Sequence, residues 1–163
     1  MNLAELARKY RTDKVRDPEN PLSHDYIPTY EAILAGKDIR RILEIGIGYD
    51  HLFHNEQKAG ASLRMWAECF PEAEVYGLDI RQDTLINDGR LKSFWCDQSD
   101  EASLRAVAAK IGGAFDLIVD DGSHIPGDQS LTATVFLPLL APGGVYVIED
   151  VEIGPKQGML ILR

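Results

Sequence analysis

Cysteine is scarce in this 163-residue chain, and long apolar runs are absent. The two cysteines, Cys69 and Cys96, are not spaced as a CxxC motif and have no companion histidine motif, so we interpret both as small buried apolar residues. The first residues include charges, and no segment approaches the ~20 apolar residues that a membrane helix needs. We therefore expect no signal peptide, no membrane partner and a cytoplasmic location.

Basic residues are also few, since 17 Lys and Arg stand against 26 Asp and Glu and give a formal net charge of −9. A protein that binds nucleic-acid phosphates needs a basic stripe, so we expect no nucleic-acid partner. The negative charge likewise disfavours anionic membrane surfaces. A small neutral or cationic ligand, or a metal ion, suits such a field better.

Short apolar segments alternate with helical ones from residue 41 onward. This alternation predicts βαβ units and a Rossmann-like, doubly wound, mostly parallel α/β sheet. The predicted strands are 41–46, 74–79, 91–97, 115–121 and 144–150, and the predicted helices between them are 62–70, 101–111 and 129–140. We divide the chain into an N-terminal helical or lid segment, 1–40, and a cofactor-binding domain, 41–163.

Every predicted strand ends in a glycine or an acidic residue. In open α/β sheets, ligands bind beyond the carboxyl ends of the strands, where the strand order reverses. One such acid is readily explained as a cap for the following helix or turn. Because all five strands share the feature, we favour a polar ligand or a metal ion at this edge.

The first strand leads into a glycine turn, Glu44-Ile45-Gly46-Ile47-Gly48. The turn is either a tight turn alone or a place where the backbone approaches a ligand. A nicotinamide fingerprint needs a third glycine where His51 stands, and Glu44 would repel a pyrophosphate. Asp79 ends the second strand, where an acid reaches ribose hydroxyls, and Asp97 and Gln98 are placed to contact an adenine edge. S-adenosylmethionine carries no phosphate and is cationic, so it tolerates Glu44.

Motifs along the chain combine into a family pattern. The strings Leu43-Glu44-Ile45-Gly46-x-Gly48, Gly77-Leu78-Asp79-Ile80 and Asp97-Gln98 resemble the class I S-adenosylmethionine-dependent methyltransferases. A second set narrows the resemblance to the macrocin and mycinamicin sugar O-methyltransferases, relatives of the cephalosporin hydroxylase-associated methyltransferases. This set is Thr12-Asp13-Lys14, Tyr26-x-x-x-Tyr30-Glu31, Ser62-Leu63-Arg64-Met65-Trp66, Asp120-Asp121-Gly122-Ser123-His124 and Pro142-Gly143-Gly144-Val145-Tyr146-Val147-Ile148-Glu149-Asp150.

The resemblance implies a set of cofactor and metal ligands. Three carboxylates without cysteine suit a hard cation such as Mg²⁺, and in the resembled family the acids that match Asp121, Glu149 and Asp150 hold magnesium. The matching histidine, His124, is the general base there, although a lone histidine is more often structural. The residues that the resemblance places at S-adenosylmethionine are Glu44, Gly46, Gly48, Ser62, Asp79, Ile80, Asp97, Gln98 and Asp121.

The resemblance implies an S-adenosylmethionine-dependent O-methyltransferase, assisted by Mg²⁺ or another divalent cation, of the antibiotic-biosynthesis type. Its acceptor would be a hydroxyl of a sugar or another diol-bearing small molecule. The alternatives are a catalytically inactive S-adenosylmethionine-binding protein and, less favoured, a nicotinamide-dependent oxidoreductase.

The chain departs from the family pattern at two places. Residues 49–59 form an insertion, which we expect to be an exposed loop rather than a metal site built on His51 and His54. The chain also ends soon after the fifth strand, with 158–162 as one possible further short strand, so we expect a sheet that is shortened at its C-terminal end. An open apolar edge favours pairing, so we expect a homo-oligomer.

Overall fold

The computed structural model describes residues 2–19, 23–48, 59–153 and 156–163, of which residues 152, 153, 156 and 157 are described by their backbone. The predicted loop insertion, with His51 and His54, lies outside the described residues apart from Ala59. The helices are α1 (Leu3–Tyr10), α2 (Ile27–Leu34), α3 (Ala61–Cys69), α4 (Glu101–Ile111) and α5 (Pro126–Phe136). The strands are β1 (Arg41–Ile45), β2 (Glu74–Asp79), β3 (Asn87–Asp88), β4 (Leu91–Trp95), β5 (Phe115–Asp120), β6 (Leu140–Ile153) and β7 (Lys156–Leu162).

The strands form one mixed sheet in the order β3-β4-β2-β1-β5-β6-β7. The five central strands are parallel, and the edge strands β3 and β7 are antiparallel to their neighbours. From β1 the chain runs outward through β2 and β4 and then returns to β5 on the other side of β1, so the strand order reverses there. The predicted Rossmann-like, doubly wound sheet is thereby confirmed.

The two faces of the sheet carry separate apolar cores because successive strand residues point to opposite sides. On one face Ile42, Val75 and Val147 pack with α1, α2 and α3. On the other face Leu43, Leu78 and related side chains pack with α4 and α5. Helices on both faces explain why the central strands are nearly continuous apolar runs.

Residues 1–40 pack on the sheet beside α3 rather than away from it. Leu6 of α1 and Tyr30 of α2 are fully buried in the same core as Ile42 and Trp66. That residues 1–40 act as a lid stays a prediction. Among the described helices, none is long and apolar enough to span a lipid bilayer.

The C-terminal strand β7 pairs antiparallel with β6 and forms an edge of the sheet. The sequence predicted a short strand only over 158–162. The pairing register shifts between Ile148 and Val151, so Glu149 and Asp150 interrupt the regular ladder. Both residues lie at the carboxyl edge of the parallel strands. Oligomer formation through the edge stays a prediction.

Gly46 packs directly against the chain that follows β5. With φ at +83°, a Cβ at this position would lie 2.1 Å from the backbone oxygen of Asp121. We expect Gly46→Ala to lower the free energy of unfolding by about 3 kcal/mol or more, because a left-handed conformation and a backbone clash both contribute. Thermal unfolding followed by circular dichroism measures this loss.

The matched control is Gly36→Ala, where φ is +70° but no atom lies within 4 Å of the added Cβ. We expect that variant to lose only about 1–2 kcal/mol, the cost of the left-handed conformation. Equal losses in the two variants would show that the close approach at Gly46 is unimportant.

Candidate functional site

Acidic side chains meet at the carboxyl edge of the parallel strands, on both sides of the switch point. Glu44 lies near the end of β1, Asp79 ends β2, and Asp121 directly follows β5. Glu149 and Asp150 lie where the β6 ladder becomes irregular. The sequence predicted this convergence from the strand ends alone.

Asp121, Asp150 and His124 form a compact group of potential metal ligands. One ligand atom from each residue lies within 4.8 Å of the others. His124 Nε2 lies 3.2 Å from Asp121 Oδ1 and 3.6 Å from Asp150 Oδ2. The two carboxylates are ligands that fit a hard divalent cation such as Mg²⁺ or Mn²⁺, and the imidazole lies beside them.

Two members of this group have unusual backbone conformations. His124 has φ of 58° and Asp150 has φ of 53°, both in the left-handed region that non-glycine residues rarely adopt. Such conformations persist only where the surrounding structure enforces them, and they concentrate at functional sites. The backbone conformations that bring His124 and Asp150 to Asp121 are therefore energetically unfavourable in themselves.

Glu149 is buried beside this group and is bonded to two other side chains. Lys14 Nζ donates to its Oε2 at 2.8 Å, and the hydroxyl of Tyr30 donates to its Oε1. The amide of Gln129 also donates to its backbone oxygen, at 3.2 Å. The structure thus brings Glu149 to the edge but not into the Asp121–His124–Asp150 group. Its predicted role as a metal ligand stays a prediction.

Lys14 is the residue that the sequence analysis missed. Its side chain is only 1% exposed, and Nζ lies 2.6 Å from Asp121 Oδ2, 2.8 Å from Glu149 Oε2 and 3.3 Å from Glu44 Oε1. The same N-terminal segment supplies Tyr26, whose hydroxyl donates to Asp150 Oδ1 at 2.7 Å. The Thr-Asp-Lys and Tyr-x-x-x-Tyr strings were family signals, but their spacing alone gave no role.

The electrostatics of the site follow from this charge cluster. Burial lowers the pKa of Lys14, but the surrounding carboxylates outweigh it and raise that pKa well above its usual range. Burial likewise opposes ionisation of Asp121, yet Lys14 and His124 outweigh it and lower the pKa of Asp121. The hydrogen bond to Asp121 raises the pKa of His124, against burial. The carboxylates therefore favour the protonated ring, and neutralising them favours the neutral ring.

The predicted cofactor turn is held by Asp79. Its Oδ2 accepts a hydrogen bond from Ile47 N at 3.0 Å, and its Oδ1 accepts from Arg81 N at 2.8 Å. A Cβ on Gly48 would lie 3.1 Å from Asp79 Oδ2, so the turn passes close to this carboxylate. Asp79 thus shapes the turn, and each of its oxygens keeps a lone pair for a ligand.

Glu44 faces the protein interior. Its Oε2 accepts from the indole Nε1 of Trp66 at 3.1 Å, and Oε1 pairs with Lys14 without hydrogen-bond geometry. Burial raises the pKa of Glu44, while the Lys14 ammonium and the nearby Ser62 hydroxyl lower it in part.

Residues after β2 and β4 occupy different environments. The Gln98 amide donates to Asp120 Oδ1 and accepts from Ser123 N, both at 2.7 Å, so its two ends bond within the protein. Asp97 bonds the backbone and hydroxyl of Ser99. Their predicted adenine contacts stay a prediction. Ile80, by contrast, is 58% exposed and offers an apolar surface at this edge.

Comparisons with known proteins place this arrangement in a wider group. No protein-family model matches the chain. The chain is 36% identical over 154 residues to mycinamicin VI 2''-O-methyltransferase of Micromonospora griseorubida, which covers 91% of the chain and 36% of that protein. It is 38% identical over 153 residues to 8-demethyl-8-alpha-L-rhamnosyl tetracenomycin-C 2'-O-methyltransferase of Streptomyces olivaceus, which covers 92% of the chain and 38% of that protein.

A comparison with solved structures finds the same type of protein. The chain superimposes on MycE methyltransferase from the mycinamycin pathway, in complex with Mg, SAH and mycinamycin VI, with a TM-score of 0.78 and 34% identity. The match covers 92% of this chain and 39% of MycE. This chain is a homologue of the macrocin and mycinamicin sugar O-methyltransferases. The predicted family resemblance is thereby confirmed, and the chain spans little more than a third of the length of these sugar O-methyltransferases.

In this sugar O-methyltransferase homologue, we expect divalent-cation affinity to depend on the pair of carboxylates that face His124. Asp121→Asn and Asp150→Asn should each raise the Kd for Mg²⁺ or Mn²⁺ at least tenfold, since even residues that only support metal ligands are worth roughly 10–100-fold. Calorimetric titration of the metal measures this change.

Asp97→Asn is the matched control, because the described bonds of the Asp97 carboxylate are made only with Ser99. We expect that variant to keep the wild-type Kd. Unchanged affinity in Asp121→Asn and Asp150→Asn would rule out the site. The predicted role of Glu149 as a ligand requires Glu149→Gln to weaken binding by a similar factor.

Proposed function

We propose that this chain binds S-adenosylmethionine and a divalent cation and transfers a methyl group to a hydroxyl of a sugar or another diol-bearing small molecule. The observation that carries the proposal is the cluster of Asp121, Asp150 and His124 beside a glycine turn fastened to Asp79. Within one site, this combination provides carboxylate ligands for a cation, a histidine that can accept a proton, and a glycine turn against which a cofactor can bind.

Two groups supplied from solution provide the chemistry that the side chains lack. S-adenosylmethionine supplies an electrophilic methyl group, and a divalent cation supplies Lewis acidity that lowers the pKa of a hydroxyl. Asp121 Oδ1 and Asp150 Oδ2 are the atoms that would hold the cation, since both face His124. The chain's own residues position the acceptor and move its proton.

His124 is the proton acceptor in the proposed reaction. Its side chain is 39% exposed, so an acceptor hydroxyl can reach it from solvent. Because Nε2 donates to Asp121 Oδ1, the ring takes up the hydroxyl proton at Nδ1 as the acceptor oxygen forms its bond to the methyl carbon. The sulfur–methyl bond breaks in the same step, and the bonding electron pair stays on the sulfur of S-adenosylhomocysteine. Neutralising Asp121 and Asp150 favours the neutral ring that this step requires.

The cofactor side of the site has polar and apolar parts. Asp79 presents its remaining lone pairs beside Gly48, as an acid that reaches ribose hydroxyls would. The exposed Ile80 lies beside Trp95, whose indole donates to the Ile80 backbone oxygen at 2.8 Å. An apolar and aromatic surface next to a carboxylate suits an adenosine group. This arrangement supports the proposed cofactor.

A second candidate is an S-adenosylmethionine-binding protein that does not transfer the methyl group. The observation in its favour is that the chain spans little more than a third of the length of its relatives, so most of each relative lies outside the matched region. The two candidates differ in one measurement. Methyl transfer to any glycoside with free vicinal hydroxyls supports the enzyme, whereas cofactor binding without transfer supports the binding protein.

The cofactor assignment depends on Asp79, and the structure shows which variant tests it. Asp79→Ala removes the hydrogen bonds to Ile47 N and Arg81 N, so it confounds loss of cofactor contacts with displacement of the turn. Asp79→Asn keeps an acceptor for one backbone N–H but loses the charge and one acceptor. We expect calorimetry to show that Asp79→Asn weakens S-adenosylmethionine binding roughly 10-fold or more, since hydrogen bonds involving charged groups contribute about 1.5–3 kcal/mol.

The control for Asp79→Asn is Asp83→Asn, an exposed acid in the same segment. That variant should bind the cofactor as the wild type does. Wild-type protein that fails to bind S-adenosylmethionine, with and without Mg²⁺, would contradict the methyltransferase proposal. Wild-type affinity in Asp79→Asn would contradict the role of Asp79 alone.

Loss of the proton acceptor should affect transfer and spare cofactor binding. We expect His124→Asn to lower kcat roughly 10²–10⁴-fold, the usual contribution of a general base, with little change in S-adenosylmethionine affinity. The matched control is His24→Asn, because His24 Nε2 lies 3.4 Å from the other side of the Asp150 carboxylate. A loss of kcat in His24→Asn as large as that in His124→Asn would contradict the assignment of the base.

A further inference from the structure

The Lys14 ammonium lies at the junction of three carboxylates from three different strand ends. Glu44 belongs to β1, Asp121 follows β5, and Glu149 belongs to β6. Nζ donates hydrogen bonds to Asp121 Oδ2 and Glu149 Oε2. It also forms an ion pair with Glu44 Oε1, 3.3 Å away. One buried cation therefore connects the switch-point strand with the two strands on one side of it.

The backbone around Lys14 is fixed independently of these carboxylates. Lys14 N donates to Thr12 Oγ1 at 3.1 Å, and its carbonyl oxygen accepts from Tyr26 N at 3.1 Å and Ile27 N at 3.3 Å. Thr12 and Ile27 are buried. The ammonium is thus held at the cluster by the fold rather than drawn there only by charge.

The hydrogen bonds divide the carboxylate oxygens into two sets. Lys14 donates hydrogen bonds to Asp121 Oδ2 and Glu149 Oε2, and the Tyr30 hydroxyl donates to Glu149 Oε1. Asp121 Oδ1 and Asp150 Oδ2 are left facing His124. The oxygens bonded to the internal cation and those that face the candidate metal position are therefore different atoms, although they share the carboxylate of Asp121.

Charge balance explains why a cation is needed there. Three carboxylates, Glu44, Asp121 and Glu149, surround one ammonium. Burying a charge costs free energy unless it is paired, and removing one partner of a buried pair leaves the other uncompensated. Without Lys14, an extra negative charge would lie in this edge, which a metal ion from solution would relieve.

We propose that Lys14 is a built-in counter-cation of this edge, a positioning residue with two effects. It holds Asp121 and Glu149 in place when no metal is bound, and its charge lowers the affinity of the neighbouring position for free divalent cations. The inference rests on the proposed function, since it takes the Asp121–His124–Asp150 group as the metal site. It goes beyond that function because the proposed reaction assigns Lys14 no contact with the acceptor or the cofactor.

The test compares Lys14→Met, which removes the charge, with Lys14→Arg, which keeps it. In EDTA we expect Lys14→Met to lower the unfolding midpoint by roughly 10 °C, the effect of breaking a buried pair in a domain of this size. Mg²⁺ should restore much of this loss, because the ion supplies the missing positive charge. Wild-type protein should gain less from the same Mg²⁺ concentration.

The affinity of the protein for Mg²⁺ distinguishes the effect of the lost Lys14 charge from the effect of altered packing. Calorimetric titration should give Lys14→Met a Kd for Mg²⁺ at least roughly tenfold lower than wild type, since a nearby unit charge repels a divalent ion by this much even with strong solvent screening. Lys14→Arg should lose stability through overpacking and gain no affinity. Equal or weaker Mg²⁺ binding in Lys14→Met would overturn the proposal.

A second variant covers the case in which Lys14→Met does not fold. The pair Lys14→Met with Glu149→Gln removes one charge of each sign, so it should be more stable in EDTA than Lys14→Met alone. Additive losses would overturn the proposal. If neither wild type nor any variant binds Mg²⁺, the proposed metal site and the proposed repulsion of the metal are both wrong. The stabilities in EDTA still decide whether Lys14 balances the charge of the carboxylates.

Discussion

A buried ammonium among carboxylates is the constraint on which the rest of the structure depends. The Lys14 side chain is fully enclosed, and an enclosed charge is tolerated only where partners surround it. This requirement places the N-terminal segment across the carboxyl edge of the sheet, where the strand-end acids are available. It also brings Tyr26 and Tyr30 to Asp150 and Glu149, so the candidate site has a wall contributed by residues that precede the first strand.

The same constraint joins the cofactor turn to the metal edge. Glu44 lies at the base of the turn and bonds Trp66 of α3, while Lys14 bridges it to Asp121. Gly46 adds a backbone contact, because its lack of a side chain lets the turn lie against Asp121 and Gly122. The same contacts therefore fix the positions of the turn and of the carboxylate that faces His124.

Sequence patterns predicted the parallel strands and the converging acids, because apolar runs that end in glycine or acid report directly on strand burial and strand ends. They did not predict Lys14, because a lysine in a polar loop is exposed in most proteins and only its three-dimensional partners show otherwise. Gln98 illustrates the same limit. Its position after a strand was predicted, but its bonds to Asp120 and Ser123 depend on three-dimensional contacts that no local pattern records.

The charge of the site also affects which acceptor suits it and how strongly it holds the cofactor and the product. An edge rich in carboxylates repels phosphate and attracts the cationic sulfonium of S-adenosylmethionine, so a neutral hydroxyl compound is the acceptor that it suits. Transfer removes the sulfonium charge, and S-adenosylhomocysteine is left with weaker attraction to the same carboxylates. A built-in ammonium moderates this difference, because it limits how much negative potential reaches the cofactor. Lys14 would then contribute to the balance between holding the cofactor and releasing the product.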